Sequence, residues 1–246
     1  AYSESPKIDY NSSDWKIGHS IYVSSIEKSN NQALHLIENG VNSLFFVLPN
    51  ELSSLGPLIK NIDLSCVTIY FETLFISEKF CTNLQKYSAN KNTTFYILND
   101  PIGHLARSGN WHANIKSDIE NLKRILVSAK DLKGVISVDL GLFQNAGSSM
   151  IQQLAYALAH VNEYLNLCDD KLIKSIVFKV SIGSNYFFEI AKLQALRVLW
   201  QSLTKEYGIS IDCHIISQPS RRNKTIYDNN TNMLRTTTEC MSAILG

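Results

Sequence analysis

The sequence lacks the features of a disulfide-rich, metal-binding or membrane-spanning protein. Its five cysteines are scattered, odd in number and include no Cys-x-x-Cys pair, which favours reduced, buried thiols and no metal site. No apolar run approaches the roughly 20 residues that span a bilayer, and no basic, apolar signal segment opens the sequence. With a formal net charge of +1, the chain has no strong electrostatic attraction to nucleic acid or to an anionic membrane. We therefore expect a cytoplasmic protein without nucleic-acid or membrane partners.

A regular alternation of strand-like and helix-like segments is present instead. Residues 186–203 carry apolar side chains at steps of three and four, a pattern that predicts an amphipathic helix with Glu189, Lys192 and Arg197 facing solvent or a partner. Residues 102–112 and 140–147 are predicted to be loops. The predicted strands are residues 15–23, 43–48, 67–71, 93–98, 134–139, 176–182 and 209–216, and the predicted helices are residues 32–38, 51–60, 77–88, 115–130, 150–165, 186–203 and 232–246.

Seven strand–helix units in strict alternation predict an α/β fold of the TIM type, a (β/α)8 barrel. The competing architecture is a doubly wound open sheet, but no glycine-rich nucleotide loop follows strand one. The sequence reaches Gly246 as its seventh helix closes, so we expect a truncated chain without the eighth strand. The expected parts are a polar N-terminal arm at residues 1–14 and a barrel domain at residues 15–246. Strands one and seven would then be open edges, filled by a terminal segment or paired across molecules.

Three stretches in the second half of the chain have distinctive sequence motifs. Residues 185–200 read Asn-Tyr-Phe-Phe-Glu-Ile-Ala-Lys-Leu-Gln-Ala-Leu-Arg-Val-Leu-Trp, and residues 232–246 begin Asn-Met-Leu-Arg-Thr-Thr-Thr-Glu-Cys-Met. Residues 143–147, Phe-Gln-Asn-Ala-Gly, precede the apolar helix that starts near Met150. In this order the three stretches resemble the barrel domain of the cobalamin-dependent methylmalonyl-CoA mutases, while the first half of the chain fits mainly by its strand–helix pattern.

The resemblance implies a reaction that interconverts methylmalonyl-CoA and succinyl-CoA by a radical mechanism. In this family a coenzyme A thioester threads the barrel axis, and a second, flavodoxin-like domain, absent from this sequence, holds adenosylcobalamin across the carboxyl ends of the strands. That domain supplies the cobalt ligand from an Asp-x-His-x-x-Gly signature. Here Asp212 and His214 are followed by Ser217 in place of the glycine, and they fall on a predicted strand. We therefore expect no cobalt ligand in this chain.

The family's catalytic positions are replaced here. The substrate-side tyrosine falls on Ser20, the glutamine after strand four on Leu98, the thioester-facing arginine on Ser108 and the general-acid histidine on Ile216. Isoleucine cannot donate a hydrogen bond to a carbonyl-side radical. No catalytic residue is therefore expected, with His214, two residues earlier on the same strand face, as the alternative donor.

Some enzymes of this family are heterodimers of a catalytic chain and a smaller, non-catalytic chain of the same fold. This chain resembles the smaller, or beta, subunit. The resemblance implies a large, or alpha, catalytic subunit as its partner, with adenosylcobalamin bound by that partner. The alternative is a chain that is itself a catalytic acyl-CoA mutase with rearranged site residues.

Several side chains are further candidates for contacts with substrate. Arg107 lies beside the replaced arginine position, between His104 and His112, and Arg221 opens a short basic cluster suited to a nucleotide 3′-phosphate or to an intersubunit loop. Lys179 in strand six stands where some barrel enzymes keep a Schiff-base lysine, which would indicate an aldolase-like enzyme. The substrate-contact candidates are Asn99, Arg107, Gln144 and Arg221.

The predicted strands are too bulky for an open channel. Because side chains alternate along a strand, some of each aromatic run must point into the barrel. A filled barrel cannot hold the coenzyme arm. The bulky side chains are Phe45, Phe46, Ile69, Tyr70, Phe71, Phe95, Tyr96 and Phe178.

Overall fold

The computed structural model describes residues 15–89, 93–129, 131–168 and 176–246, so the predicted N-terminal arm at residues 1–14 lies outside the described part. The strands are β1 (Gly18–Tyr22), β2 (Ser43–Leu48), β3 (Thr68–Thr73), β4 (Thr94–Asn99), β5 (Gly134–Asp139), β6 (Ile176–Ile182) and β7 (Cys213–Pro219). The helices are α1 (Ile26–Glu38), α2 (Glu78–Ala89), α3 (Pro101–Ser108), α4 (Ile115–Ser128), α5 (Leu140–Asn145), α6 (Met150–Leu167), α7 (Tyr186–Glu206) and α8 (Asn229–Leu245).

The strands form one seven-stranded sheet in which they follow chain order from β1 to β7. Strands β1 to β5 pair in parallel, with Gly18 beside Ser43 and Ser43 beside Thr68. A doubly wound sheet would reverse its order at a switch point, so that alternative is wrong. The observed order is that of strands in a barrel wall. No eighth strand occurs among the described residues, and residues 101–113 contain helix α3.

The chain folds as two compact units, each described here by itself. The N-unit comprises residues 16–138 and 160–177, and the C-unit comprises residues 139–159 and 178–246. In the N-unit the fully buried Phe71 packs edge-on against Phe80 of α2, with ring centroids 5.7 Å apart. In the C-unit Phe178 of β6 packs against Trp200 of α7 at 5.3 Å. Apolar strand faces covered by helices therefore form the core of each unit.

The predicted strict alternation is wrong between β2 and β3. Residues 51–60, predicted as a helix, form successive turns. Pro57 explains the difference, because proline removes a helical hydrogen bond and disfavours helical geometry in the residue before it, here Gly56. The segment is nevertheless packed, since Leu55 and Leu58 are buried. The apolar spacing in this segment therefore reflects burial rather than a helix.

Two predicted loops are short helices, α3 and α5, and both begin at an aspartate that follows a strand. The Asp100 carboxylate accepts the Gly103 amide at 2.8 Å, and the Asp139 carboxylate accepts the Gly141 amide at 2.8 Å. Such N-caps satisfy amides that a first helical turn would leave unpaired. Helix α1 also starts six residues before its predicted start, and β7 ends at Pro219 instead of Ile216.

Candidate functional site at the carboxyl ends of the strands

Asp100, directly after β4, is the centre of a buried polar cluster in the N-unit. Its side chain is only 4% exposed. Its Oδ1 accepts the Tyr164 hydroxyl at 2.8 Å and lies 2.9 Å from the Nε2 of His160, and both partners come from α6. Burial acts to raise the pKa of Asp100, but His160 and the hydrogen bonds from Gly103 and Tyr164 outweigh burial and hold that pKa below its ordinary value. Sequence reasoning missed this cluster, although the aspartate–proline pair after a strand signals a capped helix.

The positions around the replaced arginine lie on α3 and just after it. The Ser108 hydroxyl donates to the backbone oxygen of His104 at 2.9 Å. The Arg107 Nη2 atom lies 3.8 Å from Asp100 Oδ2, and its side chain is 42% exposed. The rings of His104 and His112 stack with centroids 3.8 Å apart, and burial together with His104 lowers the pKa of His112. The structure therefore brings Arg107 to the Asp100 cluster and engages the Ser108 hydroxyl with backbone.

Leu98 and Asn99 end β4, and both are buried. The Asn99 Oδ1 atom accepts the Thr73 hydroxyl at 3.3 Å. Its amide nitrogen Nδ2 is buried and has no hydrogen-bond partner among the described residues. Leu98 offers no polar atom in its side chain, so Asn99 is the residue at this strand end that keeps a donor for a ligand.

Ser20 lies in a cross-strand row with three aromatic side chains, which we term the aromatic ladder: Phe45, Tyr70 and Tyr96. Ser20 pairs with Phe45, Phe45 with Tyr70, and Tyr70 with Tyr96. The rings stack with centroids 4.3 Å and 4.8 Å apart. Burial, and secondarily Tyr96, raises the pKa of Tyr70 well above its ordinary value, so this phenol stays neutral. The sheet face that carries Ser20, the predicted substrate-side position, is thus lined by stacked rings.

Glycines flank the aromatic ladder at both ends. A Cβ atom on Gly18 would lie 2.6 Å from Cε2 of Phe45, so only glycine leaves the room that this ring occupies. At the other end Tyr96 pairs with Gly134 of β5. Glycines on β1 and β5 therefore leave the room that the rings of the aromatic ladder need.

Gln144 connects the ends of β6 and β7 in the C-unit. Its Oε1 accepts the Ser220 hydroxyl at 2.9 Å, and its Nε2 lies 3.5 Å from the backbone oxygen of Ser181. Arg222 donates to the backbone oxygen of Gln144 at 2.8 Å, while Arg221 beside it is exposed. Gln144 is therefore committed to contacts within the protein. In the basic cluster Arg221 and Arg222 are both exposed, whereas Lys224 is half-buried.

Glu189 and Lys192 of α7 form a buried ion pair, so the prediction that they face solvent is wrong. Both side chains are 1% exposed, and Lys192 Nζ lies 2.5 Å from the Glu189 carboxylate. Lys192 also donates to the backbone oxygen of Ser181 at 2.8 Å and to Gln153 at 3.4 Å. Desolvation lowers the pKa of Lys192 against the attraction of Glu189. The pair therefore ties α7 to β6 and α6. Arg197, the third predicted solvent-facing charge, is half-buried.

The candidates on β6 and β7 lie inside strands. Ile216 is within β7 rather than at its end, and His214 is half-buried two residues earlier. Burial raises the pKa of the neighbouring Cys213 thiol to about 12. Asp212, just before β7, is exposed. Lys179 is half-buried in the middle of β6.

The described ranges contain neither a metal-binding cluster nor a membrane-spanning helix. No group of three or more histidine, cysteine, aspartate or glutamate side chains there is arranged to hold a metal ion. None of the described helices combines the length and the apolar character needed to cross a bilayer.

Comparison with known proteins identifies relatives along most of the chain. Residues 51–246 match the sequence profile of a family described as methylmalonyl-CoA mutase. The methylmalonyl-CoA mutase small subunit of Porphyromonas gingivalis is 30% identical over 95% of this chain and 41% of its own length. The small subunit of Streptomyces virginiae is 24% identical over 94% of this chain and 40% of its own length. The large subunit of S. virginiae is 36% identical over 45% of this chain and 16% of its own length. The chain thus spans less than half the length of these relatives.

Proposed function

Because this chain belongs to the methylmalonyl-CoA mutase family, we propose that it is the small, non-catalytic subunit of a two-chain mutase. Its partner is the large, catalytic subunit, which binds adenosylcobalamin and interconverts methylmalonyl-CoA and succinyl-CoA. Relatives from P. gingivalis and S. virginiae are named as small and large subunits, which supports a pair of unlike chains. Residues 15–246 form its barrel-type domain.

The aromatic ladder is the observation that carries the non-catalytic assignment. A channel for the coenzyme arm has to be lined by small or polar side chains. Here stacked Phe45, Tyr70 and Tyr96 occupy the row that also contains Ser20. Tyr70 is 4% exposed, so its ring is already packed against protein on most sides. Such a row supports a filled interior without a path for a thioester.

The residues at the family's catalytic positions support the same conclusion. Leu98 and Ile216 have no polar side-chain atom and cannot stabilise charge on a reacting carbonyl. The Ser108 hydroxyl is engaged with the backbone of His104 and Asn110. In this proposal adenosylcobalamin is bound by the partner chain. We place the assembly in the cytoplasm, where the free thiols of this chain stay reduced.

Activity measurements on the full-length protein test the proposal. Supplied with methylmalonyl-CoA and adenosylcobalamin, it should show no isomerisation alone, and the large subunit should be active in its presence. Calorimetry of this chain with methylmalonyl-CoA should show no saturable heat.

Two results would contradict the proposal. Turnover by this chain alone would establish a catalytic mutase with rearranged residues, and a His214→Ala variant would then show whether that histidine is the donor. Micromolar binding of methylmalonyl-CoA, about −8 kcal/mol, would mean that the ladder leaves a channel open.

A further inference from the structure

Helix α8 buries polar side chains against the protein and exposes apolar side chains, beside Thr237 and Thr238, on its outside. Glu239 and Ser242 are 2% and 0% exposed, whereas Met233, Leu234 and Met241 are 67%, 74% and 50% exposed. A surface helix of a globular protein normally has the opposite arrangement, with its apolar stripe facing the core. The outward face of α8 therefore resembles a protein interface rather than a solvent-exposed surface.

Paired polar contacts within the C-unit fix this orientation. The Glu239 carboxylate accepts Asn223 Nδ2 at 2.6 Å and Lys224 Nζ at 2.5 Å. Arg235 donates to the backbone oxygen of Asn223. Rotating α8 to bury its apolar side would leave these groups without partners at a cost of about 1–3 kcal/mol each. These buried hydrogen bonds therefore hold α8 with its polar side facing the protein.

The exposed face of α8 carries no charge. Arg235 and Glu239 are the charged residues of the helix, and they are half-buried and buried. Solvated helices carry charged residues on their outer face, whereas the cores of protein interfaces are depleted of charge and enriched in methionine and aromatic residues. The loop before α8 adds Ile226 and Tyr227, which are 89% and 92% exposed. Apolar exposure on this scale marks an interaction surface.

The angular position of the stripe indicates what kind of neighbour covers it. At about 100° per residue, the exposed apolar side chains spread over roughly 120°: Met233 and Ile244 lie nearest the side opposite Glu239 and Ser242, and Leu234, Met241 and Leu245 lie toward one flank. A further strand–helix unit in the same layer would flank α8 and leave its outermost side open. A separate protein surface stacked on the outside would cover it. This geometry favours a partner chain over a continuation of the same layer.

We propose that the outward face of α8 is the docking surface for the large mutase subunit. The proposal rests on the proposed function, which gives this chain a large-subunit partner, and it adds where that partner binds. The matching surface on the large subunit is apolar and uncharged, because each charge buried there would lose its hydration without gaining a partner. The residues of the α8 face are Met233, Leu234, Met241, Ile244 and Leu245.

Charge substitution on this face tests the proposal with a matched control. Leu234→Asp combined with Met241→Asp in the full-length protein should weaken binding to the large subunit by about 100-fold or more, since carboxylates would be buried in an apolar interface. Val127→Asp on α4 is the control, because Val127 is 51% exposed and Met241 is 50% exposed. Its affinity should stay within about threefold of wild type. Circular dichroism of each variant confirms folding before affinity is measured.

A second readout uses two exposed cysteines and needs no substitution. Cys240 lies on α8 near this face, while Cys66 lies in the N-unit, and both are exposed. Maleimide labelling followed by peptide mapping should show Cys240 modified at least about tenfold more slowly in the complex, because an interface core excludes solvent. The Cys66 rate should not change. Comparing the labelling rates of Cys240 and Cys66 distinguishes burial of the α8 face from a slower reaction of all thiols in the complex.

The possible outcomes distinguish this proposal from the one on which it rests. If the wild-type chain binds the large subunit, and the doubly charged variant binds equally well with Cys240 still reactive, the α8 face is wrong while the small-subunit function stands. If the wild-type chain does not bind the large subunit, both fail. If the substitutions abolish self-association instead, the face belongs to a second copy of this chain and the large-subunit proposal is overturned.

Discussion

Asp100 is the single residue on which most polar contacts at the end of β4 converge. Its carboxylate caps α3 through Gly103 and receives the hydroxyl of Tyr164, with His160 at 2.9 Å. These groups hold the pKa of Asp100 below its ordinary value despite burial. A carboxylate whose pKa is lowered by folding stabilises the folded state at any pH above its ordinary pKa, which is 3.8 for aspartate. That stabilisation is lost as the pH falls through the pKa of the folded state.

The variant Asp100→Asn should therefore destabilise the protein in a pH-dependent way. At pH 7 we expect the free energy of unfolding to fall by about 3 kcal/mol, because the substitution removes one partner of a buried charged cluster. The loss of unfolding free energy should shrink as the pH drops below the ordinary aspartate pKa, because Asp100 of the wild-type protein then becomes protonated as well. Denaturant titrations across this range measure both effects, with Glu38→Gln at the exposed end of α1 as a control. A deficit that is constant with pH would contradict this account of Asp100.

At the scale of elements, α7 is attached by a buried ion pair as well as by apolar packing. Lys192 alone reaches Glu189 on its own helix, Ser181 on β6 and Gln153 on α6. A buried charge left without its partner is costly, whereas removing both charges together is often neutral. The contribution of this pair is therefore visible only when single and double substitutions are compared.

We expect Lys192→Met alone to cost about 3–5 kcal/mol of unfolding free energy and the double variant with Glu189→Leu to cost less than the single one. Denaturant unfolding of wild type, the two single variants Lys192→Met and Glu189→Leu, and the double variant provides the double-mutant cycle. The surface pair Arg124–Glu120, with side chains 56% and 63% exposed, is the matched control. Arg124→Met should cost under about 1 kcal/mol. Equal losses at the two sites would show that burial of Lys192 does not matter.

The same helix shows how far sequence reasoning reaches. Periodicity located α7, and the apolar run of β2 gave its bounds to the residue, because burial imposes a pattern along a single segment. The pairing of Glu189 with Lys192 was missed because solvent access depends on what packs against a helix. Helix α3 was missed because its start depends on the cap at Asp100 and not on periodicity.

For the candidate site, the assignment of the family's catalytic positions stays a prediction, and the sequence alone did not show what surrounds them. The alignment of Ser20 with Phe45 of the aromatic ladder depends on strand register, which no single strand encodes. Counting back from the motif in α8 placed Ile216 at the end of β7, yet that strand continues to Pro219. The loop after β7 is held by Glu239 and Asn223, contacts that no local pattern reveals.

At the scale of the whole molecule, the sheet has two open edges within the described residues. β1 and β7 stand at the ends of the strand order, each beside one other strand. Tyr22 of β1 is 60% exposed and Ile17 just before it is 49% exposed. Unpaired apolar edges promote association between molecules, and a lysine on an edge strand suppresses it.

We therefore expect residues 1–246 to associate with rising concentration in sedimentation velocity, and Tyr22→Lys on β1 to reduce that association. Leu74→Lys, at a side chain that is 50% exposed just after β3, is the control away from the edge. A wild-type chain that stays monomeric over the whole concentration range would mean that the edges are already protected.

The strand order also has a consequence for synthesis on the ribosome. Strands β2, β3 and β4 each pair with the strand that precedes them, at a separation of about 25 residues, so each new pairing closes a short loop at little entropic cost. Pairing can therefore advance while the chain is still being made, since domains fold from the N-terminus as they emerge. The rings of Phe45, Tyr70 and Tyr96 then stack one after another in the order of translation. By the time α7 and α8 leave the ribosome, this part of the sheet can already be paired.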